Sequence, residues 1–447
     1  MRETDRCYMI ASHIGKQHVR CAMLVLFLAA CSPKPNLQPR VDAMDRAAES
    51  YVKLVLAVGR HDADYVDAYY GPPAWKAAAD SVKRPLSDIR AEAANLIASL
   101  EAQPPASSAE ELVQLRHRFL VRQLQALVAR VDMLGGKRLS FDEESQALYD
   151  AIAPTNDEAY FQRILDRLDA ALPGTGSLTD RYDEFRKGFI IPAARLDTVF
   201  TAAIAACKER TAQHIALPPG ESFTVEYVTG KSWSGYNWYQ GDHRSLIQVN
   251  TDLPIYIDRA LDLACHEGYP GHHVYNALLE HRLVRQRGWV EYTVYPLFSP
   301  MSLIAEGSAN YGVDLAFPGE ERVRFESAKL FPLAGLDGSR ADEYYRVKAL
   351  ADQLAYAGNE AARRYLDGKI DAKAAAEWLT RFAMYSPARA QQRVRFIDQY
   401  RSYVINYNLG QDLVNAYVEK TAGADQKKRW EVFTQLLSSP RLASALR

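Results

Sequence analysis

Three of the ten histidines in this chain fall within one short segment, His266-Glu267-Gly268-Tyr269-Pro270-Gly271-His272-His273. Zinc hydrolases often take two ligands from one helix as His-Glu-x-x-His, because residues four apart lie on the same helical face. Here the fourth residue after His266 is Pro270, and the next histidines come six and seven residues later. Seven residues of unbroken helix span about 10 Å, whereas zinc–nitrogen bonds are about 2.1 Å long. A straight helix therefore cannot bring both histidines onto one ion.

The pair Pro270-Gly271 stands where the helix has to break. Proline lacks an N–H and clashes with the preceding turn, and glycine tolerates unusual backbone dihedrals. The segment therefore predicts half of a metal site. We expect His266 and His272 to be ligands, with His273 as the alternative to His272, and Glu267 to be the general base. The competing interpretation is a helix–loop–helix whose histidines are polar surface groups or substrate contacts.

This segment and a second one, Glu306-Gly307-Ser308-Ala309-Asn310-Tyr311, together resemble the bacterial domain-of-unknown-function 885 family. The motifs of that family are His-Glu-x-x-Pro-Gly-His-His and Glu-Gly-Trp-Ala-x-Tyr, and the resemblance covers roughly residues 231–410. The family is similar to helical zinc peptidases such as angiotensin-converting enzyme, thimet oligopeptidase and the thermostable carboxypeptidases. Ser308 replaces the tryptophan of the second motif, which removes an aromatic packing group but keeps Glu306.

The resemblance implies a fold, a cofactor and a substrate class. The fold would be mainly α, a large multi-helix peptidase-like fold with a deep cleft and a small antiparallel β-sheet just before the metal-binding helix. Glu306 would be the third ligand of one Zn²⁺ ion, and the substrate would be a peptide. A His-His-Glu ligand set favours zinc over manganese or cobalt.

Several polar residues are candidates for supporting roles. In the similar peptidases a late tyrosine donates to the oxyanion, and Tyr407-Asn408-Leu409-Gly410 matches the Tyr-x-x-Gly end of a late stretch in the family. Tyr407 is therefore the first choice for this role and Tyr403 the second. Asp262 lies one turn before His266 and either accepts the second ring N–H of that histidine or is a surface charge. Asn310 and Asp314 are further candidates for such support.

The N-terminus predicts a lipoprotein. A basic region precedes the apolar stretch 21–30, which is too short to span a bilayer. The stretch ends in Leu28-Ala29-Ala30-Cys31, which resembles a bacterial lipobox. We expect residues 1–30 to be the signal peptide, Cys31 to carry lipid, and residues 31–40 to be a tether. Ser32 favours the outer membrane, facing the periplasm; the alternative is an ordinary secretory signal with a chance cysteine.

The composition limits the kinds of partner that this protein is expected to bind. Lys plus Arg number 54 and Asp plus Glu 55, which gives a net charge of −1. With no long basic run, we expect no nucleic-acid partner. Beyond Cys31 the processed chain keeps only Cys207 and Cys265, which do not make a disulfide framework. Cys265 is interpreted as a small buried residue rather than a soft metal ligand.

The chain divides into two predicted parts. Residues 41–215 read as helices, and residues 216–440 as the catalytic part. Within the catalytic part, alternating β-rich runs predict strands at Phe223–Val228, Tyr236–Tyr239 and Ser245–Asn250, with a hairpin turn at Asp242-His243-Arg244. In the similar peptidases an edge strand at this place pairs with the substrate backbone. The acidic, tyrosine-rich stretch 62–70 is either a solvated loop or a wall of the cleft.

Together these features predict a zinc-dependent peptidase of the cell envelope. Glu267 would take a proton from water and pass it to the leaving amine. Two alternatives stay open: a metal-dependent hydrolase of non-peptide substrates, and a lipoprotein that binds peptide or envelope material without turnover. Glu267 argues against the second alternative, because a binding protein has no need of a base there.

Overall fold

The computed structural model describes residues 43–447. The predicted signal peptide, the tether and Cys31 therefore lie outside the described residues. The fold is mainly α, as predicted, and residues 43–447 belong to one compact unit. No helix in the described range is long and apolar enough to cross a membrane.

The first part of the described chain is helical, as its apolar spacing predicts. Several helices begin with a side-chain cap: Ser140, for example, accepts from the backbone N–H of Glu143 and the Glu143 side chain accepts from the Ser140 N–H, which satisfies two donors of the first turn. The helices are α1 (Ala43–Val58), α2 (Pro73–Ser81), α3 (Leu86–Ala102), α4 (Glu111–Leu134), α5 (Phe141–Tyr149), α6 (Glu158–Ala171), α7 (Leu178–Lys187) and α8 (Leu196–Ala212).

The predicted strands form a three-stranded sheet of β2 (Ser222–Val228), β3 (Gly235–Gly241) and β4 (Arg244–Asn250) in the order β2-β4-β3. β3 and β4 form an antiparallel hairpin whose turn residues Asp242 and His243 have φ of 53° and 57°, as a type I′ turn requires. β2 pairs with β4 in parallel, so the sheet is mixed rather than antiparallel throughout. β3 is an edge strand.

A second, two-stranded sheet was not predicted. β1 (Val66–Tyr69) pairs antiparallel with β5 (Val294–Pro296). β1 belongs to the acidic, tyrosine-rich stretch, so the second half of this stretch is a strand and not a solvated loop. The Tyr70 ring, just after β1, packs edge-on against Tyr239 of β3 at 5.4 Å.

The chain after the three-stranded sheet continues mainly as helices. They are α9 (Ile257–Leu263), α10 (His272–Leu279), α11 (Pro300–Ala316), α12 (Glu320–Phe325), α13 (Phe331–Ala334), α14 (Ala341–Asp352), α15 (Ala357–Leu366), α16 (Ala372–Phe382), α17 (Pro387–Tyr400), α18 (Ile405–Ala422) and α19 (Gln426–Leu437). A large hydrophobic core runs from α1 to the C-terminus, and a smaller one joins α6 to α14–α17. Both cores contain residues from both sides of the predicted boundary at 215.

The two cysteines of the described chain form a single disulfide that the sequence analysis did not predict. Cys207 on α8 and Cys265 beside the first histidine form a disulfide, with their Cα atoms 5.7 Å apart. Both are fully buried, so the prediction that Cys265 is buried holds. The pairing depends on how α8 packs against the histidine segment, and local spacing along the chain carries no information about that.

Candidate metal centre

The backbone of the histidine segment breaks where the sequence predicts. α9 passes into one π-helical turn at Ala264–Gly268, and α10 then starts afresh at His272. Between them the backbone approaches itself closely: a Cβ atom on Gly271 would overlap the carbonyl oxygens of His266 and Cys265. Only glycine fits there. The close return brings the His272 side chain back to the level of His266.

Three side chains converge as a result of this break. His266 Nε2 lies 3.1 Å from His272 Nε2 and 3.2 Å from Glu306 Oε2, and His272 Nε2 lies 3.6 Å from the same oxygen. Tetrahedral zinc with bonds near 2.1 Å places its ligand atoms about 3.3–3.5 Å apart. The buried Glu306 Oε2 has no hydrogen-bond partner. Both observations fit a zinc ion held by these three atoms.

The charge state of Glu306 also suits a cation. Burial by itself would raise the pKa of this carboxyl, but the adjacent His272 and His266 hold it well below its usual range. The carboxylate is therefore ionised at neutral pH. Its second oxygen, Oε1, accepts a hydrogen bond of 2.7 Å from the Tyr403 hydroxyl, which leaves Oε2 directed at the histidines.

Asn310 fixes the tautomer of His266. The Asn310 side-chain N–H donates to the carbonyl oxygen of Tyr407 at 2.9 Å, so its Oδ1 is the atom that lies 2.8 Å from His266 Nδ1. An amide oxygen only accepts, so His266 carries its proton on Nδ1 and keeps the Nε2 lone pair for a metal. Asp262 does not have the predicted position. Its carboxylate pairs with Arg322 at 2.7 Å and Arg259 at 3.2 Å.

His273 lies in a different network from its neighbour. It is fully buried, its Nδ1 is 2.9 Å from Ser245 Oγ, and its Nε2 is 2.9 Å from Glu221 Oε2. Burial opposes ionisation of Glu221, but hydrogen bonds from His273, Lys208 and Tyr269 outweigh it and lower the pKa to about 2. Of the two candidate histidines, His272 therefore lies with His266 and Glu306. His273 instead links α10 to β4 through Ser245.

Glu267 lies buried beside the cluster. Burial raises its pKa to about 7; the charge of His272 opposes this shift, while that of Glu306 adds to it. Its backbone carbonyl accepts from the Asn237 amide at 2.8 Å. Its Oε1 lies 2.7 Å from the point where a Cβ on Gly235 would be, so edge strand β3 begins directly against this carboxylate.

The two candidate tyrosines have different surroundings. The Tyr403 hydroxyl donates its hydrogen bond to Glu306 Oε1, as described above. The Tyr407 ring lies 5.8 Å from that of Tyr403, and its hydroxyl makes no hydrogen bond within residues 43–447. Burial raises the pKa of Tyr407, and the charge of Glu306 adds to this effect, so the phenol stays protonated and able to donate.

The helices that carry Glu306 and Tyr407 touch through glycines. A Cβ on Gly410 of α18 would lie 2.7 Å from the Leu303 carbonyl oxygen and 2.9 Å from Gly307 Cα of α11. The two backbones are therefore in direct contact one residue after Glu306 and three residues after Tyr407. Both glycines belong to the sequence segments that carry the family resemblance.

Asp67 on β1 belongs to the acidic, tyrosine-rich stretch, but the sequence analysis gave it no individual role. Its Oδ1 is buried without a hydrogen-bond partner. Burial raises its pKa to about 8, and the nearby charges of Glu306 and Glu267 add to the effect. Asp67 lines a cleft of about 630 Å³ that also includes Tyr236 and Trp238 of β3 and Tyr400 of α17. Of the two alternatives for the acidic, tyrosine-rich stretch, the structure therefore supports a wall of the cleft.

Comparison with known proteins shows the fold only. No family model and no curated protein sequence matches this chain. The structure of a provisionally assigned lipoprotein from Colwellia psychrerythraea is similar with a TM-score of 0.50 and 13% identity over 81% of this chain and 68% of that one. The structure of a carboxypeptidase from Pyrococcus furiosus has a TM-score of 0.46 and 12% identity, over 90% of this chain and 91% of that one.

The structure of a provisionally assigned lipoprotein of unknown function from Shewanella oneidensis has a TM-score of 0.43 and 13% identity, over 84% of this chain and 75% of that one. At such identities the likeness concerns the course of the helices and not the chemistry. What this centre does has to be argued from its own residues.

Proposed function

We propose that this chain is a zinc-dependent peptidase of the bacterial cell envelope and a member of the domain-of-unknown-function 885 family. The observation that carries the proposal is the convergence of His266, His272 and Glu306 at tetrahedral ligand spacings, with Glu267 buried beside them. Structural zinc sites usually have four protein ligands, whereas catalytic sites have three and an open position. The donor set here is of the second kind.

The residues around the centre have separable roles in hydrolysis. A bound zinc ion would supply a Lewis acid that makes water more acidic and polarises a carbonyl group. Glu267 takes the proton from the attacking water and gives it to the leaving amine, and its raised pKa suits both steps. Tyr407 donates to the oxygen that gains negative charge. Tyr403 and Asn310 hold Glu306 and His266 in the orientation that binding requires.

The cleft favours an extended peptide as substrate. β3 is an edge strand of its sheet, and it starts at Glu267 and lines the cleft. Unpaired backbone groups on such an edge can bind a peptide main chain whatever its side chains. This arrangement supports a peptidase over a hydrolase of small esters, and comparing the hydrolysis of peptide and ester libraries tests the choice.

Envelope location rests on different evidence. The basic region, the apolar stretch and Leu28-Ala29-Ala30-Cys31 support lipidation at Cys31. The structural likeness to a provisionally assigned lipoprotein agrees with this. Labelling with a radioactive fatty acid should mark the wild-type chain and leave a Cys31→Ala variant unmarked.

Metal content tests the proposal directly. The chain without residues 1–31 should bind about one zinc ion, and His266→Ala, His272→Ala and Glu306→Ala should each abolish binding. His281→Ala is the matched control, because His281 contacts the exposed Gln286 instead of the centre.

Activity tests the second half of the proposal. A Glu267→Gln variant should keep its zinc and lose peptide hydrolysis. If the wild type holds no zinc after loading, the cluster is a polar substrate surface. If the Glu267 variant equals the wild type in every assay, the protein is a lipoprotein that binds peptide or envelope material without turnover.

A further inference from the structure

Two partly buried arginines on α17, Arg389 and Arg393, lack the acidic partners that Arg116 and Arg322 have. Arg116 pairs with Glu291 at 2.6 Å, and Arg322 pairs with Asp262 at 2.7 Å. By contrast, no carboxylate of residues 43–447 lies within ion-pair distance of Arg389 or Arg393. Arg393 Nε is buried and has no hydrogen-bond partner at all. A buried charged donor left without an acceptor is costly, which points to an anion that is not part of the protein.

The two arginines face the same way, and a third joins them. Residues four apart on a helix share a face, and the Arg389 guanidinium lies 4.6 Å from the ring centre of Tyr385. Burial would raise the pKa of Tyr385, but the charges of Arg389, Arg393 and Arg259 lower it below its usual range. Arg389 therefore contacts this half-buried phenol directly, and the positive charges of Arg393 and Arg259 are near enough to act on it.

This cationic site lies next to the reacting centre. The Arg393 guanidinium is 5.6 Å from the ring centre of Tyr407. Arg259, unlike the two arginines of α17, has an acidic partner, Asp262 at 3.2 Å. It also reaches Ser234 Oγ at 3.4 Å, immediately before the residue that abuts Glu267, and its charge acts on Glu267. A peptide advances about 3.3 Å per residue when extended. An anion bound at the site would thus lie between Tyr407 and the start of β3, on the side of the centre where an extended peptide would run.

We propose that Arg259, Arg389, Arg393 and Tyr385 bind a carboxylate of the substrate on one side of the scissile bond. Guanidinium groups pair with carboxylates through two parallel hydrogen bonds, and the phenol adds a further donor. The carboxylate is either the free C-terminus of the peptide, which would make the enzyme an exopeptidase, or an acidic side chain close to the cleaved bond. This inference rests on the proposed peptidase function and defines its substrate class.

The test uses four versions of one pool of N-acetylated peptides, with a free or amidated C-terminus and with Glu or Gln next to it. We expect kcat/KM to be about 10- to 100-fold higher for peptides that keep the recognised carboxylate, the range typical of a hydrogen bond to a charged group. A preference for free over amidated ends identifies the C-terminus, and a preference for Glu over Gln identifies a side chain. Equal cleavage of all four pools overturns the proposal.

Variants show whether the arginines cause the preference. Arg393→Gln and Arg389→Gln should each reduce the ratio between acidic and neutral pools towards one while zinc content stays unchanged, and Arg393→Lys should retain part of it. Arg381→Gln is the control, because Arg381 is an exposed arginine that packs on Phe382 of α16. A ratio that survives both Gln variants shows that the carboxylate binds elsewhere.

A binding measurement separates this inference from the peptidase proposal. The zinc-loaded Glu267→Gln variant is titrated with the four pools by calorimetry, so that turnover is not needed. Tighter binding of the acidic pools supports the carboxylate site even if the wild type cleaves none of them, in which case only the peptidase proposal fails. Equal or absent binding of all pools overturns the carboxylate site.

Discussion

Replacing Gly235 by alanine should slow peptide hydrolysis without unfolding the chain. A Cβ at residue 235 would lie 2.7 Å from Glu267 Oε1 and 2.7 Å from Leu263 Cδ2, where ordinary contacts are 3.4–4 Å. The carboxylate therefore has to move by roughly 1 Å, and such a displacement of a reacting group costs about 100-fold in rate. Both crowded atoms are ends of flexible side chains, so the free energy of unfolding should fall by less than about 1 kcal/mol.

The assay compares kcat, zinc content and melting temperature of the variant with those of the wild type. Gly358→Ala is the matched control, because a Cβ there meets no heavy atom within 4 Å; its kcat should equal that of the wild type. We expect the Gly235 variant to keep one zinc ion and to lose about 100-fold in kcat. A Gly235 variant with wild-type kcat would refute the idea that Glu267, held against β3, is the base.

Three further perturbations test other contacts of the centre. Asn310→Leu should weaken zinc binding 10–100-fold in a chelator competition, whereas Asp314→Asn, whose partner is Gln411, should not; equal affinities would show that Asn310 does not orient the ligand. Gly410→Ala should lower the free energy of unfolding by about 1–3 kcal/mol in denaturant melts, because the Cβ meets backbone; an unchanged midpoint would contradict the close helix crossing. Cys207→Ser should cost about 2–4 kcal/mol and make stability insensitive to reductant; continued sensitivity would contradict the disulfide.

The sequence predicts those parts of the fold that depend on neighbours along the chain. The β3–β4 hairpin is an example, because the turn at Asp242 and His243 fixes its register locally. The parallel pairing of β2 with β4 and the pairing of β1 with β5 depend on strands brought together by the helices between them. The bond between Cys207 and Cys265 has the same origin. Spacing patterns along the chain do not specify contacts of this kind.

The candidate site likewise has features that the sequence predicts and features that depend on contacts between distant parts of the chain. The need for a backbone break at Pro270-Gly271 follows from helix geometry alone, and the structure has that break. The choice between His272 and His273 does not follow from helix geometry. It depends on Ser245 and Glu221, which form hydrogen bonds with both ring nitrogens of His273. Asp262 has the right spacing from its histidine along α9, but Arg322 from another helix pairs with it. Long-range partners therefore decide which of several well-spaced polar residues reach the centre.

The crossing of α11 and α18 positions several residues of the candidate centre. α11 and α18 touch at Gly307 and Gly410, and this contact sets the depth of both Glu306 and Tyr407. Asn310, one turn after Glu306, donates to the Tyr407 carbonyl across the same crossing, so the proposed metal ligand, the tautomer of His266 and the proposed oxyanion donor depend on one helix contact. Glu267 is positioned separately, by β3. A side chain inserted at the crossing should therefore weaken metal binding and transition-state stabilisation together, while a side chain inserted at the start of β3 should affect the base alone.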